Sequence, residues 1–527
     1  MSQATTPDAA PSADLAALAR GGRINFFGFI LRLLARLPFL FIAGRMYGAT
    51  ELGRFAYAVL ILEFAAQLAT LGLKRGLAQQ LARTDKPHVC VVADALLVAA
   101  IGSALVMTLL AVFPQVMFPN SEIAGLEWML PVTVFALAWS DICLAALAYR
   151  HDVGATVRAR AIVEPWTISI AAFGLYFVWP RDGLIIAYAA SMVGALIASV
   201  IPFVKSYGLP HDWRPDPGTL WHLARRNLPV AAADAVEWGS RRIDIAILGL
   251  LASPAIVGVY YVAQNVASLP AKLKTSFDPI LGPVISRNLA DGDKLAVAKQ
   301  VRQVGFWVIA AQSAVALALG IPGEAVMGLV GPAFVAGTAV LAFLLAAEVV
   351  AATAAVSESA LIYCARNRNM MISLAMIGLQ AALTVALIPV LERLRLSDAW
   401  QMIGIEPLGD LEMWKATGPA IALLVALGFA AIIKARLLRH MLGAPVSGWR
   451  WALIWAAAAA VIAGQIVILL PEWAEIMFGI PAILAAFGAV MWVKGFGPED
   501  RELFRMKKED IEELSLPDPG ASPGTSR

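Results

Sequence analysis

The stretch AADAVEWGSRRIDIAILGLLASPAIVGVYYVAQNVASLPAKLK, residues 232–274, decides the fold. It is apolar enough for two membrane-spanning helices, yet it holds Asp234, Glu237, Arg241, Arg242, Asp244, Lys272 and Lys274. A charge at the centre of a bilayer costs about 2.5–3.5 kcal/mol on insertion scales, so such residues face a protein interior or a watery cavity. Asp234, Glu237, Arg241 and Asp244 step by three, four and three residues, which predicts that they share one helical face. The pattern points to a polar cavity within the membrane whose basic groups suit an anionic solute.

The rest of the chain agrees with a membrane setting. Of its 527 residues 60% are hydrophobic and only 15% charged, where a soluble domain carries about 25% charged residues. The fold class is therefore all-α, a polytopic membrane protein. Apolar runs of about 20 residues predict spans at 24–44, 52–73, 89–113, 126–148, 162–179 and 184–204, then 230–251, 255–277, 303–322, 337–363, 370–391 and 416–437. Two more at 450–470 and 474–494 bring the expected number of transmembrane helices to about fourteen. The implied organisation is a cytoplasmic tail (1–23), a six-helix lobe (24–204), an inter-lobe linker (205–228) and a second six-helix lobe (229–437). Two additional helices (438–494) and a cytoplasmic tail (495–527) follow. Lys and Arg gather in alternate connections, such as Lys74, Arg75, Arg83 and Lys86, or Lys434, Arg436 and Arg439, which places both termini in the cytoplasm.

Residues 1–23 form a polar tail before a long apolar segment without a small-residue cleavage site, so no cleavable signal is expected. Residues 499–514, EDRELFRMKKEDIEEL, read as a charged amphipathic helix, and the connection near 392–415 has the aromatic and aliphatic residues to lie along the interface. Cys90, Cys143 and Cys364 are far apart, and the five histidines fall in or beside polar connections without ligand spacing. Neither a disulfide framework nor a metal site is predicted. No GxxxxGK[ST] loop occurs, so the chain is not itself an ATP-driven pump, and no cofactor or nucleic-acid partner is expected.

The two halves match weakly at an offset of 205 residues: Arg36 with Arg241, Ile42 with Ile247, Gly44 with Gly249, Gly53 with Gly258, Phe55 with Tyr260 and Ala58 with Ala263. Each half has six predicted spans, so the repeats run in the same direction, related by an axis along the membrane normal.

GRMYGATELGRFAYA at 44–58 and IDIAILGLLASPAIVGVYYVAQ at 243–264 resemble the polysaccharide-repeat-unit flippases, the O-antigen and exopolysaccharide translocases of the multidrug/oligosaccharidyl-lipid/polysaccharide exporter superfamily. Span number, doubled six-helix plan and length agree with that family. The resemblance implies movement of an undecaprenyl-pyrophosphate-linked oligosaccharide from the inner to the outer leaflet of the bacterial inner membrane, with no enzymatic step. Related lipid II flippases place arginines of the first helices around the diphosphate, and by resemblance Arg32 and Arg36 are the matching positions.

The charged residues carry two readings each. Arg32 and Arg36 project from one face of the first span; their guanidinium forks match phosphate oxygens, or one of them pairs with Glu63 of the next span. Glu63, Gln67, Thr70 and Lys74 form a polar stripe, with Glu63 a structural partner or a proton- or cation-sensitive site and Gln67 a sugar or interhelical contact. Arg241 has Glu237 and Asp244 at helical spacing to neutralise it, whereas Arg242 points about 100° away and is the freer cation. Lys272 shares a face with Tyr261, Asn265 and Ser268, or snorkels to the headgroups together with Lys274. Asp141 and Glu348 lie near mid-span and join Glu63 and Asp244 as candidates for coupling to protons or sodium.

The expected activity is alternating access: the diphosphate held by cavity arginines, the polyprenyl tail in lipid, and two lobes that rock. Glycan polymerase and export proteins are the expected partners. A multidrug cation antiporter of the same superfamily would favour cavity acids over Arg and Lys. A membrane glycan-synthesis enzyme would need a large outward loop with catalytic residues, and a passive scaffold would move nothing.

Overall fold

The computed structural model describes residues 37–84, 86–150, 152–211, 213–240, 242–275, 285–393, 414–497 and 500. All regular structure among them is helical. The first half contains α1 (Gly48–Ala69), α2 (Leu73–Leu81), α3 (His88–Val112), α4 (Val132–Tyr149), α5 (Glu164–Tyr176) and α6 (Gly183–Tyr207). Then come α7 (Pro217–Ser240), α8 (Ile243–Leu251), α9 (Pro254–Thr275), α10 (Lys294–Gly320), α11 (Gly323–Val330), α12 (Thr338–Cys364), α13 (Arg366–Arg393) and α14 (Trp414–Leu442). Helices α15 (Ala452–Val467) and α16 (Ile480–Val490) follow.

The duplication is visible in the helix starts. Gly48, His88 and Val132 open α1, α3 and α4; Pro254, Lys294 and Thr338 open α9, α10 and α12, each 206 residues later. Even the 3-10 turn before α4, at Leu126–Met129, recurs before α12 at Pro332–Gly337. Repeat mates α1 and α9 pack directly on each other. One buried apolar cluster runs through both, from Leu52, Phe55 and Leu62 to Val259, Tyr260 and Val262, and joins the halves. A second cluster lies under α10, α12, α15 and α16, and a third among α2, α3, α4 and α6.

Nine helices among the described residues are long and apolar enough to cross a membrane, with Ala452–Val467 a shorter apolar one. The difference from fourteen has local causes. Leu37–Leu81 counts as one stretch although it holds parts of two predicted spans, which meet at Gly48, φ +81. The 162–179 run is shared between a π-helical turn, Arg158–Val163, and α5. The 230–251 run is two helices, because α7 stops at Ser240 and α8 starts at Ile243. Gly239 and Ser240 supply the break, a common cause of sharp helix kinks. Asp234 and Glu237 thereby fall on α7 and Asp244 on α8.

The terminal tails, the 499–514 helix except Asp500, and most of the 392–415 connection lie outside the described residues. Asp500 itself is buried and accepts hydrogen bonds from Arg450 Nη1 (2.7 Å), Trp307 Nε1 (2.8 Å) and the Gly497 N–H (2.9 Å). Burial alone would raise its pKa, but these donors outweigh it and hold the carboxyl below its usual range.

Candidate functional site

The site is built along α1, which crosses α9 and whose two ends differ. At the N-terminal ends the helices touch through glycine. A Cβ added to Gly53 would stand 1.7 Å from the Pro254 carbonyl oxygen, and one added to Gly258 would stand 2.1 Å from that of Ala49. Small residues let backbones approach this closely, a recurrent device between membrane helices. The loop between α3 and α4 braces the same end. Asn120 Nδ2 donates to the carbonyls of Gly249 (2.9 Å) and Ala252 (3.0 Å), which the end of α8 leaves without helical partners.

Arg54, one residue after Gly53, anchors that loop. It donates to Glu127 Oε1 (2.7 Å), Glu51 Oε2 (2.9 Å) and the Glu122 carbonyl (2.9 Å). Glu127 is 0% exposed, and its other oxygen takes the Gly125 N–H at 2.6 Å. Removing one partner of a buried ion pair costs about 3–5 kcal/mol. Arg54→Ala leaves Glu127 the Gly125 N–H and, as its cation among the described residues, the looser Arg181 contact at 3.6 Å. We expect a drop in melting temperature in detergent well beyond that of Arg54→Lys; equal melting of all three proteins would show that the pair does not hold the loop.

Toward its other end α1 carries charge. Glu63 of α1 meets Arg242 Nη2 at 3.2 Å, and Arg242 lies 5.7 Å from the ring centroid of Trp238, which stacks on Phe64. The expectation of Arg242 as a freer cation is thus corrected: its partner is in the other half of the sequence, where spacing within one helix does not reach. The polar stripe Glu63–Lys74 is also broken, because Leu71 (φ +47) and Gly72 (φ +72) separate α1 from α2. Lys74 then pairs with Asp141 at 3.0 Å, while Arg75 spans to α7, reaching Asp234 and Glu237 at 2.8 Å each. Gln67 stays on α1, half-buried beside Thr70, whose hydroxyl donates to its carbonyl.

The coupling candidates occupy different settings. Asp141 is held between Lys74 and Arg160, and Arg160 also bonds Glu164 at 2.8 Å. Two cations neutralise it, which suits a structural role. Asp244 is buried and accepts from the Tyr260 hydroxyl (2.5 Å), Gln264 Nε2 (3.0 Å) and the Ile245 N–H (2.8 Å). It makes no ion pair among the described residues. Glu348 sits half-buried on α12. Arg32, Arg36 and Arg241 lie outside the described residues, as does the side chain of Lys272.

Hydropathy gave no sign of Arg75, Asn120 or Arg54 as organising residues; each acts through a partner more than 60 positions away. It also passed over Gln380 and Thr384, buried on α13 with side-chain atoms that lack hydrogen-bond partners among the described residues. Helix α13 packs on α8, the helix of Asp244. Among the described residues no group of three His, Cys, Asp or Glu is arranged to hold a metal ion.

The sequence model described as "Polysaccharide biosynthesis protein" matches residues 42–317, which include both stretches behind the family resemblance. No curated protein sequence matches. Among solved structures, one of the lipid II flippase MurJ in an inward closed conformation superposes with a TM-score of 0.65 at 11% identity, over 92% of this chain and 99% of that one. An inward-facing multidrug resistance MATE family transporter of the MOP superfamily gives 0.56 at 13% identity, over 79% and 98%. A MATE structure in complex with MaL6 gives 0.53 at 14% identity, over 82% and 96%. These likenesses establish the polytopic transporter fold.

Proposed function

The chain belongs to the polysaccharide biosynthesis protein family, and on that premise we propose that it is a flippase for lipid-linked glycans. It carries an undecaprenyl-pyrophosphate-linked oligosaccharide from the cytoplasmic to the periplasmic leaflet of a bacterial inner membrane. The observation that supports this best is the contrast between the two ends of α1: glycine packing against α9 at one, and paired cations and acids shared with α2, α7 and Arg242 at the other. The distribution of Lys and Arg assigns the glycine end to the periplasm and both chain termini to the cytoplasm. Residues 24–204 and 229–437 are the lobes that rock, the linker 205–228 joins them, and 438–494 add two helices.

Neutralising the diphosphate removes much of the cost of taking it through hydrocarbon. Arg32, Arg36, Arg241, Arg242 and Lys272 are the proposed headgroup ligands, with Gln67 toward the sugar. The carboxylate on Arg242 is one that an incoming phosphate replaces. Asp244 is the first choice for coupling to protons or sodium, because it is buried and makes no ion pair among the described residues; Glu63, Asp141 and Glu348 follow. Glycan polymerase and export proteins are the proposed partners.

A leaflet-accessibility assay in liposomes with a fluorescent prenyl-diphosphate sugar tests the reading. Arg36→Ala is expected to lower flipping at least tenfold, the effect of about 1.4 kcal/mol, and Arg241→Ala to lower it less. Unchanged flipping in both removes the headgroup site.

A further inference from the structure

We infer that Arg75 is a receiving site for the diphosphate headgroup, occupied in this structure by two carboxylates that stand in for phosphate. The inference rests on the flippase reading and adds a residue to it. Nη2 of the Arg75 guanidinium donates to Glu237 Oε2 at 2.8 Å, and Nη1 lies in ionic contact with Asp234 Oδ1 at 2.8 Å without a hydrogen bond to it. Two anionic oxygens on the two prongs of one fork are what a diphosphate presents, and a guanidinium takes them bidentately. The two acids are three apart on α7, so both reach from one helical face.

Accessibility separates this cluster from a structural ion pair. Arg75 is 57% exposed and Glu237 48%, while Asp234 is 2%. An exposed ion pair gains about 0–1 kcal/mol, so a doubly charged ligand can displace Glu237 at small cost. Asp234 remains behind as the buried member. Lys74, the preceding residue, is 47% exposed and paired with Asp141, which puts a second cation on the same short helix.

The mounting of α2 makes the exchange consequential. It is joined to α1 through Leu71 and Gly72, both with positive φ, a conformation that costs a non-glycine residue about 1–3 kcal/mol. It lies so close to α7 that a Cβ on Gly76 would stand 1.9 Å from Asn227 Oδ1, and one on Gly72 2.6 Å from the Ala231 nitrogen. Helix α2 therefore belongs by sequence to the first half and is clipped by charge to the helix that leads into the second. A headgroup that draws Arg75 off Glu237 loosens that clip, so binding and opening share one residue.

Calorimetric titration of the full-length protein in detergent with farnesyl diphosphate tests this. Arg75→Ala is expected to weaken binding at least tenfold, and Arg75→Lys, which keeps the charge without the fork, severalfold. Glu237→Gln is expected to tighten binding severalfold, and that gain should vanish in Arg75→Ala/Glu237→Gln. A gain that survives in the double variant, or no gain at all, overturns the inference, as does wild-type affinity in both Arg75 variants. If Arg75→Ala does not fold, the Arg75→Lys/Glu237→Gln pair carries the same comparison. A wild-type protein that binds no farnesyl diphosphate overturns the flippase reading along with it; wild-type binding with unaffected variants overturns this inference alone.

Discussion

Leucine in place of Gly258 is expected to abolish measurable flipping and leave the glycine end of the protein open. A Cβ at this position already falls 2.1 Å from the Ala49 carbonyl oxygen and 3.0 Å from the Gly53 nitrogen. These are backbone atoms of a facing helix, so no rotamer change relieves the overlap. Overpacking a tight contact costs about 1–3 kcal/mol where side chains can give way. Taking the upper end, the closed arrangement loses roughly a hundredfold in population. Gly53→Leu attacks the same contact from the other side and should behave alike, with the alanine variants intermediate. Buried Val257 supplies the readout. With Cys90, Cys143 and Cys364 replaced by serine, Val257→Cys should resist a membrane-impermeant maleimide in the parent and react quickly beside Gly258→Leu. Normal flipping with Val257→Cys still protected would show that the two glycines do not form a gate.

The second large effect is expected at Asp244. Asp244→Asn keeps one oxygen for the Ile245 N–H and turns its amide nitrogen to the Tyr260 hydroxyl, whose oxygen can accept from it, so the fold should survive with a modest change in melting temperature. Asp244→Ala removes the acceptor for three donors, and a buried donor left unsatisfied costs about 1–3 kcal/mol. The alanine variant should therefore be clearly less stable. The functional consequence separates the two roles of the residue. If Asp244 couples transport to an ion, Asp244→Asn should fold yet lose the response of flipping to an imposed proton or sodium gradient. A folded Asp244→Asn protein with an intact gradient response would reduce Asp244 to a hydrogen-bond hub.

What could be read from sequence was what is local or periodic. Apolar runs gave the all-helical membrane fold. The offset pairing picked out Gly53 and Gly258, which touch, because a duplicated chain preserves the small residues its crossing requires. The failures share one cause. Helical spacing assumes an unbroken helix, and Gly239–Ser240 and Leu71–Gly72 interrupt the two helices on which the charge argument relied. Arg242 looked unpartnered along its own helix, yet its carboxylate is Glu63, far away in the chain. Long-range ion pairs such as Arg75 with Asp234 leave no mark in any window of sequence.

The glycine contact has a consequence for vectorial traffic. Exchange the two halves of the molecule and Gly53 on Gly258 becomes Gly258 on Gly53, the same joint. A hinge that maps onto itself has no preferred sense of rotation, so it cannot tell import from export. Polarity must be inscribed where the halves have diverged: Asp244 corresponds to Phe39 in the offset pairing, Arg242 to Leu37, and Glu63 to Ser268. On the flippase reading, direction is set at Asp244, Arg242 and Glu63, and the glycine contact is the symmetric bearing on which they act.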